Sequence, residues 1–408
     1  MRILFVADVS IERVIGGAER MLFEQSVRLA RKGHTVHILT RRPPGGEDST
    51  RFTTHQVTEH RYGVAAGNPL AFLCSTLHNA RRLAETLLRT TAFDCIHFQQ
   101  PFSAAGVLLS RRARRILKIY SNYSLSFEEF VSRNPLPAGW IPQMIYRANS
   151  RVRRWLEKWV LGHCRTIVTL SRFSQQRLRD AHGIHSDRTK LITGGVDTDK
   201  FTPASDKLSI RRHLRLPEDG VVLFTVRNLV PRMGLENLLL AFKAAISRAP
   251  GLYLVLAGDG PLRDRLRELA QRERIAEKVF FAGFVPEEEL PSYYRMADLF
   301  VLPTRELEGF GLVTLESLAC GVPVAGTPVG GTKEILGRFD PAFLFQDASP
   351  AAMADLILKC HQMITAHPRE WADLGLRCRR FVEENYSWDA VIGALEDLYR
   401  QTIAGVSR

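Results

Sequence analysis

Between Asp298 and Gly331 the chain reads DLFVLPTRELEGFGLVTLESLACGVPVAGTPVGG, and its punctuation leaves few folds open. Asp298-Leu-Phe-Val-Leu-Pro303 is a short apolar run stopped by proline, the pattern of a buried strand. Leu312, Leu315, Leu318 and Ala319 then recur at helical spacing. Gly321 and Pro323 end that helix, and Val322–Ala325 starts another strand. Strand, turn, helix, strand in that order calls for a parallel sheet with helices on its faces. The Gly309-Phe310-Gly311 turn lies between a strand's carboxyl end and a helix N-terminus. Open α/β sheets bind ligands there, and free backbone N–H groups attract phosphate. Gly309 and Gly311 permit close approach of the backbone to a ligand. Two carboxylates flank the turn, Glu308 on the loop and Glu316 in the first turns of the helix. A carboxylate that accepts from vicinal hydroxyls can hold a ribose or a sugar. The alternative is one surface glutamate and one that merely complements the helix dipole. The glycine setting at a strand end favours the ligand reading.

The rest of the chain repeats this alternation. Residues 3–9 form a first strand, Gly16-Gly17 opens a helix that Gly33 closes, and Val36–Leu39 is a second strand, a βαβ unit. Residues 41–67 are polar, with Pro43-Pro44 and Gly45-Gly46, and read as an exposed loop plus a short strand. A helix over 69–91, a strand over Asp94–Gln99, a helix over Ala104–Arg115 and a strand over Ile116–Tyr120 follow. Thr166–Ser171 is a further strand, followed by a helix over Arg172–Ala181. Val221–Val226, Leu254–Ala257 and Val279–Val285 read as strands of a second domain that the 298–331 segment continues.

With 408 residues the chain has length for two or three domains. No apolar run reaches the ~18 residues that span a membrane, and the start MRILFVADVS reads as a strand and not a signal peptide. The six cysteines are scattered without a C-x-x-C pair, as expected of buried thiols in a cytosolic protein, with neither disulfides nor a zinc site. Charge is uneven: residues 1–200 carry 31 Lys and Arg against 16 Asp and Glu, whereas the remainder carries 25 against 27. A basic half implies an anionic partner: nucleic acid, anionic lipid, or an acidic or phosphorylated glycan. Residues 140–160, WIPQMIYRANSRVRRWLEKWV, set Trp140, Trp155 and Trp159 among arginines, as do Arg111, Arg112, Arg114 and Arg115 nearby in sequence. This is either an interfacial surface or a solvated helix face with tryptophans in the core.

Pro303-Thr304, Glu308-Gly-Phe-Gly-Leu312, Glu316 and Gly321-Val-Pro-Val324 resemble the donor-site signature of the family 4 retaining glycosyltransferases. Three residues, Arg305–Leu307, stand where that signature has two, and Ser317 replaces its usual Ala. Lys190–Pro203 is similar to the family's segment closing the first domain, with Gly194 in place of Asn. The resemblance implies the α/β GT-B fold: two Rossmann-like domains, 1–203 and 204–385, whose parallel sheets face a central cleft, with 386–408 crossing back as a terminal helix. The donor lies on the second domain and the acceptor on the first.

The same resemblance supplies residue roles. Gly16 and Gly17 match a cleft-facing G-G-A-E loop. Asn122 stands where the family has a histidine, and His97 matches a second, less uniform one; for His97 a buried strand-end role is the alternative. Arg227 and Arg232 have the spacing of the family's Arg and Lys at the donor diphosphate, although an alignment on Gly234 would put Asn228 and Met233 there. Two phosphates need cationic donors, which favours the arginines. Gly258 belongs to a G-x-G-P turn, and Phe284 follows the glycine near which the nucleobase lies. Glu316 is expected on the ribose, and Glu308 on the transferred sugar. Arg227, Arg232 and the backbone of Gly309, Phe310, Gly311 and Leu312 are expected on the diphosphate.

The implied activity is transfer of a sugar from a nucleoside-diphosphate sugar to a glycan or lipid-linked acceptor, with retention, no cofactor and no metal. The setting is cell-surface polysaccharide, lipopolysaccharide or glycolipid synthesis, in the cytoplasm or at the inner membrane face, where an anionic surface is a further partner. A sugar-nucleotide epimerase or hydrolase, or a phosphorylase, would lack the full 303–324 signature. A nucleic-acid-binding protein would need a helix-turn-helix, RNP or zinc pattern, and none is present, so no nucleic-acid partner is expected.

Overall fold

The structure is a computed structural model that describes residues 1–12, 16–43, 50–65, 67–134 and 136–404. The chain divides into two compact units, one of residues 1–193 with 389–408 and one of residues 194–388.

The first unit is built on eight strands: β1 (Arg2–Val6), β2 (Thr35–Arg41), β3 (Arg51–Thr54), β4 (Val57–Tyr62), β5 (Cys95–Phe98), β6 (Leu117–Asn122), β7 (Thr166–Thr169) and β8 (Thr189–Leu191). Their order is β3-β4-β2-β1-β5-β6-β7-β8, parallel except for β3, which runs against β4. Ile3, Leu4, Phe5 and Val6 of β1 are fully buried because helices cover both sheet faces. Those helices are α1 (Gly17–Arg31), α2 (Pro69–Thr90), α3 (Pro101–Leu108), α4 (Ser126–Arg133), α5 (Trp140–Gly162) and α6 (Arg172–His182).

Three readings of this half are corrected. Residues 50–62 form a β3–β4 hairpin, not a loop with one strand, although residues 44–46 lie outside the described residues. The hairpin turns on His55 and Gln56, both with positive φ, in place of the usual Asn-Gly. Its strand β4 buries Glu59 and Arg61, polar residues that hide a core strand from a hydrophobicity reading. They satisfy one another: Glu59 accepts from Arg61 Nε at 2.6 Å, Ser10 Oγ at 2.7 Å and the Ile11 amide at 2.9 Å. Second, the helix expected over Ala104–Arg115 ends at Leu108, and Arg111–Arg115 is a separate 3-10 turn around the buried Ala113. Third, Cys74 is exposed, while the other five free thiols are buried.

The second unit carries β9 (Val221–Val226), β10 (Leu252–Ala257), β11 (Val279–Gly283), β12 (Leu299–Leu302) and β13 (Val324–Gly326), all parallel, in the order β11-β10-β9-β12-β13. Its helices are α7 (Lys207–His213), α8 (Leu235–Ile246), α9 (Arg263–Arg272), α10 (Leu290–Arg295), α11 (Leu312–Ala319), α12 (Gly330–Phe339), α13 (Pro350–Ala366) and α14 (Pro368–Asn385). Asp298, just before β12, accepts from Lys207 Nζ at 2.8 Å, Arg211 Nη2 at 2.6 Å and the Val222 amide at 2.8 Å, tying α7 to the base of the sheet. Burial alone would raise its pKa, but Lys207 and Arg211 outweigh that and hold the carboxyl below the usual range.

The last helix, α15 (Trp388–Ala404), packs on the first unit. There Glu396 accepts from Lys32 Nζ at 2.8 Å and pairs with His34 Nε2 at 2.7 Å. No described helix is long and apolar enough to cross a membrane.

Candidate functional site

In the second unit the strand order reverses between β9 and β12, because β10 leaves β9 to one side and β12 returns on the other. A crevice opens at the carboxyl ends of strands at such a switch point. Arg227 follows β9, and the 303–311 loop follows β12, so the topology alone brings them together. Arg227 Nη2 donates to Thr304 Oγ1 at 2.9 Å and to Glu308 Oε2, and the Thr304 hydroxyl donates to Glu308 Oε2 at 3.0 Å. Both charged side chains are nearly buried, at 7% and 11% exposure. The Nε of Arg227 is buried with no hydrogen-bond partner and remains a donor.

Arg232 reaches the same loop, Nη1 donating to the Leu307 carbonyl at 3.1 Å, while the Arg305 amide donates to the Arg232 carbonyl at 2.8 Å. The extra residue in 305–307 is accommodated by Leu307, whose φ is +56°. Of the alternatives to these arginines, Met233 is buried with its sulfur against Arg227 Nη2, and Asn228 is exposed.

Glu316 sits in α11, 2% exposed, and Tyr294 Oη donates to its Oε2 at 2.7 Å. Gly311 caps α11 with φ +95°. The loop is pressed against a second glycine turn: the Gly331 amide donates to the Glu308 carbonyl at 2.9 Å. A Cβ on Gly330 would stand 1.9 Å from that carbonyl oxygen, and one on Gly331 2.4 Å from Phe310 Cα. Phe310 and Leu312 pack their side chains against Gly194, with the Phe310 ring also 6.1 Å from that of Tyr386. What Phe310 can present to a ligand is therefore backbone. Gly258 crosses behind Arg227, since a Cβ there would lie 1.8 Å from the Arg227 carbonyl oxygen. Phe284, past the end of β11, is 56% exposed.

The remaining expected residues belong to the first unit. Gly16 caps α1 and Gly17 begins it; residues 13–15 lie outside the described residues. Asn122 ends β6, 2% exposed, with its Oδ1 buried and without a partner. His97 has no such freedom. Its Nδ1 meets Tyr399 Oη at 2.6 Å and its Nε2 meets Ser121 Oγ at 2.8 Å, and burial pushes its pKa down to about 3. It is a neutral strut under α15. Sequence reasoning gave no role to Thr304, although it stands within the signature. Tyr294 had no signal, being one tyrosine of a pair on a helix outside the motif. Among the described residues no group of three or more His, Cys, Asp or Glu side chains is placed to hold a metal ion.

The second unit thus offers an exposed aromatic in Phe284, two nearly buried carboxylates in Glu308 and Glu316, and the guanidinium groups of Arg227 and Arg232 beside the signature loop.

The chain is similar to known proteins over most of its length. Residues 15–200 match the family model described as Glycosyltransferase Family 4, and residues 206–364 the model described as Glycosyl transferases group 1. A D-inositol 3-phosphate glycosyltransferase of Acidothermus cellulolyticus is 31% identical over 95% of this chain and 86% of its own. A GDP-mannose-dependent alpha-(1-6)-phosphatidylinositol monomannoside mannosyltransferase of Mycobacterium tuberculosis is 28% identical over 94% of both chains. The solved sucrose-phosphate synthase of Thermosynechococcus elongatus superposes with a TM-score of 0.79 at 24% identity, covering 99% of this chain and 100% of its own. Those matches span both units, the second family model includes the signature loop, and the chain belongs to the family 4 glycosyltransferases of the GT-B fold.

Proposed function

We propose that the protein transfers a hexose from a nucleoside-diphosphate sugar to a glycan or lipid-linked acceptor, with retention and without a metal. The observation that carries the reading is the Arg227–Thr304–Glu308 cluster at the β9/β12 switch point. It joins the cation needed by a leaving diphosphate to the carboxylate needed by the transferred sugar.

In the reaction the bond from the anomeric carbon to the diphosphate breaks, and negative charge grows on the leaving phosphate. Arg227, Arg232 and the amides at the start of α11 stabilise that charge. The acceptor hydroxyl attacks from the same face and gives its proton to the departing phosphate oxygen, so the proton balance needs no side-chain base. Glu316, oriented by Tyr294, holds the ribose; Glu308 holds hydroxyls of the sugar; Asn122 offers an amide to the sugar or acceptor. The name of the mycobacterial relative favours GDP-mannose as donor, and the two names together favour an inositol phosphate or phosphoinositide as acceptor class. The basic first half favours an acceptor at the cytoplasmic face of a membrane rich in anionic lipid, in the synthesis of surface polysaccharide, lipopolysaccharide or glycolipid.

A screen of nucleotide sugars by thermal shift identifies the donor, and transfer is then followed with Glu308→Gln. The isosteric amide is needed because Glu308→Ala would strand the Arg227 charge, at a cost of about 3–5 kcal/mol. Glu308→Gln is expected to slow transfer about a hundredfold or more while donor affinity stays within a few fold. Transfer is expected to persist in EDTA. Parent-rate transfer by Glu308→Gln removes the role given to Glu308, and EDTA inactivation reversed by Mg²⁺ removes the metal-free mechanism.

A further inference from the structure

Helix α5 has three sectors, not the two of an ordinary surface helix. At ~100° per residue its sequence can be laid on a wheel. Leu156, Glu157, Val160 and Leu161 face the core and are buried. Arg147, Arg151, Arg154 and Lys158, all exposed, form a stripe along one flank. The remaining arc, ~140° wide, is apolar and faces solvent. It holds Ile141 at 53% exposure, Met144 at 61%, Ile145 at 60% and Trp155 at 65%, while Trp140, at 72%, stands beside it at the helix start, in line with Lys158.

The helix is held rigidly from beneath. Tyr146 Oη donates to the Asn134 carbonyl at 3.0 Å, and its ring lies 5.1 Å from Phe130 of α4. Arg153 is turned inward over the rings of Phe102 and Phe130, and Arg154 Nη2 donates to the Ala181 carbonyl at 2.7 Å. Tryptophans, isoleucines and a methionine fixed in water on one helix form a patch that a soluble monomer rarely leaves uncovered.

We propose that this apolar arc of α5, with its basic flank, docks on the surface of a bilayer containing anionic lipid. The helix lies in the interface plane, Trp140 and Trp155 enter the headgroup and acyl boundary, and Arg147, Arg151 and Lys158 meet lipid phosphates. Charge complementarity selects this occupant over a second copy of the chain. Two such helices face to face would set arginine stripe near arginine stripe, in a half of the chain already far on the basic side. The inference rests on the membrane reading above and names the face that carries it.

The test needs neither donor nor acceptor. The full chain is sedimented with phosphatidylcholine vesicles with and without phosphatidylglycerol, and Trp fluorescence is read with brominated lipid. The parent chain is expected to bind the anionic vesicles, more weakly as salt rises, with quenching. Trp140→Ser with Trp155→Ser, which leaves the charge intact, is expected to lower binding about tenfold or more and remove most quenching. Arg147→Ser with Arg151→Ser is expected to lower binding to anionic vesicles roughly fivefold per charge while leaving neutral vesicles unchanged. Leu376→Ser, an exposed apolar residue of α14, is the control expected to change nothing. Circular dichroism and nucleotide-sugar thermal shift are recorded on each variant, so a folding defect or a failed donor reading is seen separately. Parent binding that survives the double Trp variant overturns the assignment of this face alone. No parent binding to either vesicle overturns the membrane reading with it. A concentration-dependent dimer in the parent that the double Trp variant abolishes gives the face to a second copy and overturns the proposal.

Discussion

At the scale of single residues, the site is organised by side chains that no ligand need touch. Tyr294 is fully buried and its hydroxyl fixes one oxygen of Glu316. Losing a buried hydrogen bond of this kind costs about 1 kcal/mol, and more where a carboxylate loses a partner. Tyr294→Phe is therefore expected to weaken nucleotide binding roughly five- to twentyfold, with little change in the rate at saturating donor. Calorimetric titration with the bare nucleoside diphosphate checks it, and unchanged affinity would mean that Glu316 does not depend on Tyr294 for its orientation. The glutamates were expected from sequence because the motif's glycines and prolines announce a turn at a strand end, whereas Arg227 and Arg232 rested on the family's spacing, with Asn228 and Met233 as alternatives. Tyr294 was not, since its partner is twenty-two positions away and nothing local marks a tyrosine that serves another element. Asp8 is similar: its carboxylate accepts from the Ser103 amide at 2.8 Å, a contact visible only once β1 and α3 are adjacent.

At the scale of elements, backbone contacts decide. The loop at 308–311 and the turn at 330–331 touch backbone to backbone, with Gly330 in the left-handed region at φ +56°. Gly330→Ala must displace the Glu308 carbonyl, and is expected to cost about 2–4 kcal/mol and more than about tenfold in donor affinity. Gly337→Ala, in α12 with open space around it, is the matched control, expected neutral or stabilising by up to about 1 kcal/mol. Urea midpoints and donor titrations on the pair separate strain from helix propensity. Equal stability of the two variants would show that the loop yields freely. The joint between β5 and α15 makes a different prediction. His97 is neutral in the folded protein, with a pKa of about 3 against ~6.5 in an unfolded chain. The unfolded chain takes the proton first, so this contribution is complete above ~6.5 and is lost as pH falls toward 3. Between pH 7 and pH 5 it amounts to about 2 kcal/mol. His97→Gln is expected to be less stable at pH 7 and to lose less between those two pH values, as read from urea midpoints. An identical loss in the variant would place the acid sensitivity elsewhere, with half-buried His60, pushed down to about 4, the next candidate. Elements were legible where apolar runs met strong turn residues, as at β9, β12 and α11. They failed at β4, where Glu59 and Arg61 are buried as a pair, and at the His55-Gln56 turn, which lacks the glycine that usually signals a tight hairpin.

At the scale of the whole molecule, each unit encloses its own sheet and its own buried core. Most residues assigned to the donor, Arg227, Arg232, Glu308 and Glu316 among them, lie in residues 194–388. Gly16, Gly17 and Asn122 lie in the other unit. Binding stabilises only the folded state that makes the contacts, by ~2.7 kcal/mol at a hundred times Kd. A nucleoside diphosphate without its sugar is therefore expected to protect the amides of β9 and β12 against hydrogen exchange and to leave those of β1 and β6 unchanged. The complete nucleotide sugar is expected to add protection at the carboxyl end of β6, through Asn122. Asn122→Ala should abolish that increment and slow transfer while the protection of β9 and β12 stays. An amide does not titrate near neutral pH, so the pH–rate profile should keep its shape in the variant. Protection of β6 by the bare diphosphate would mean that the first unit binds phosphate itself. Protection of neither sheet by any nucleotide sugar, at concentrations that saturate the thermal shift, would move the donor away from the β9/β12 switch point altogether.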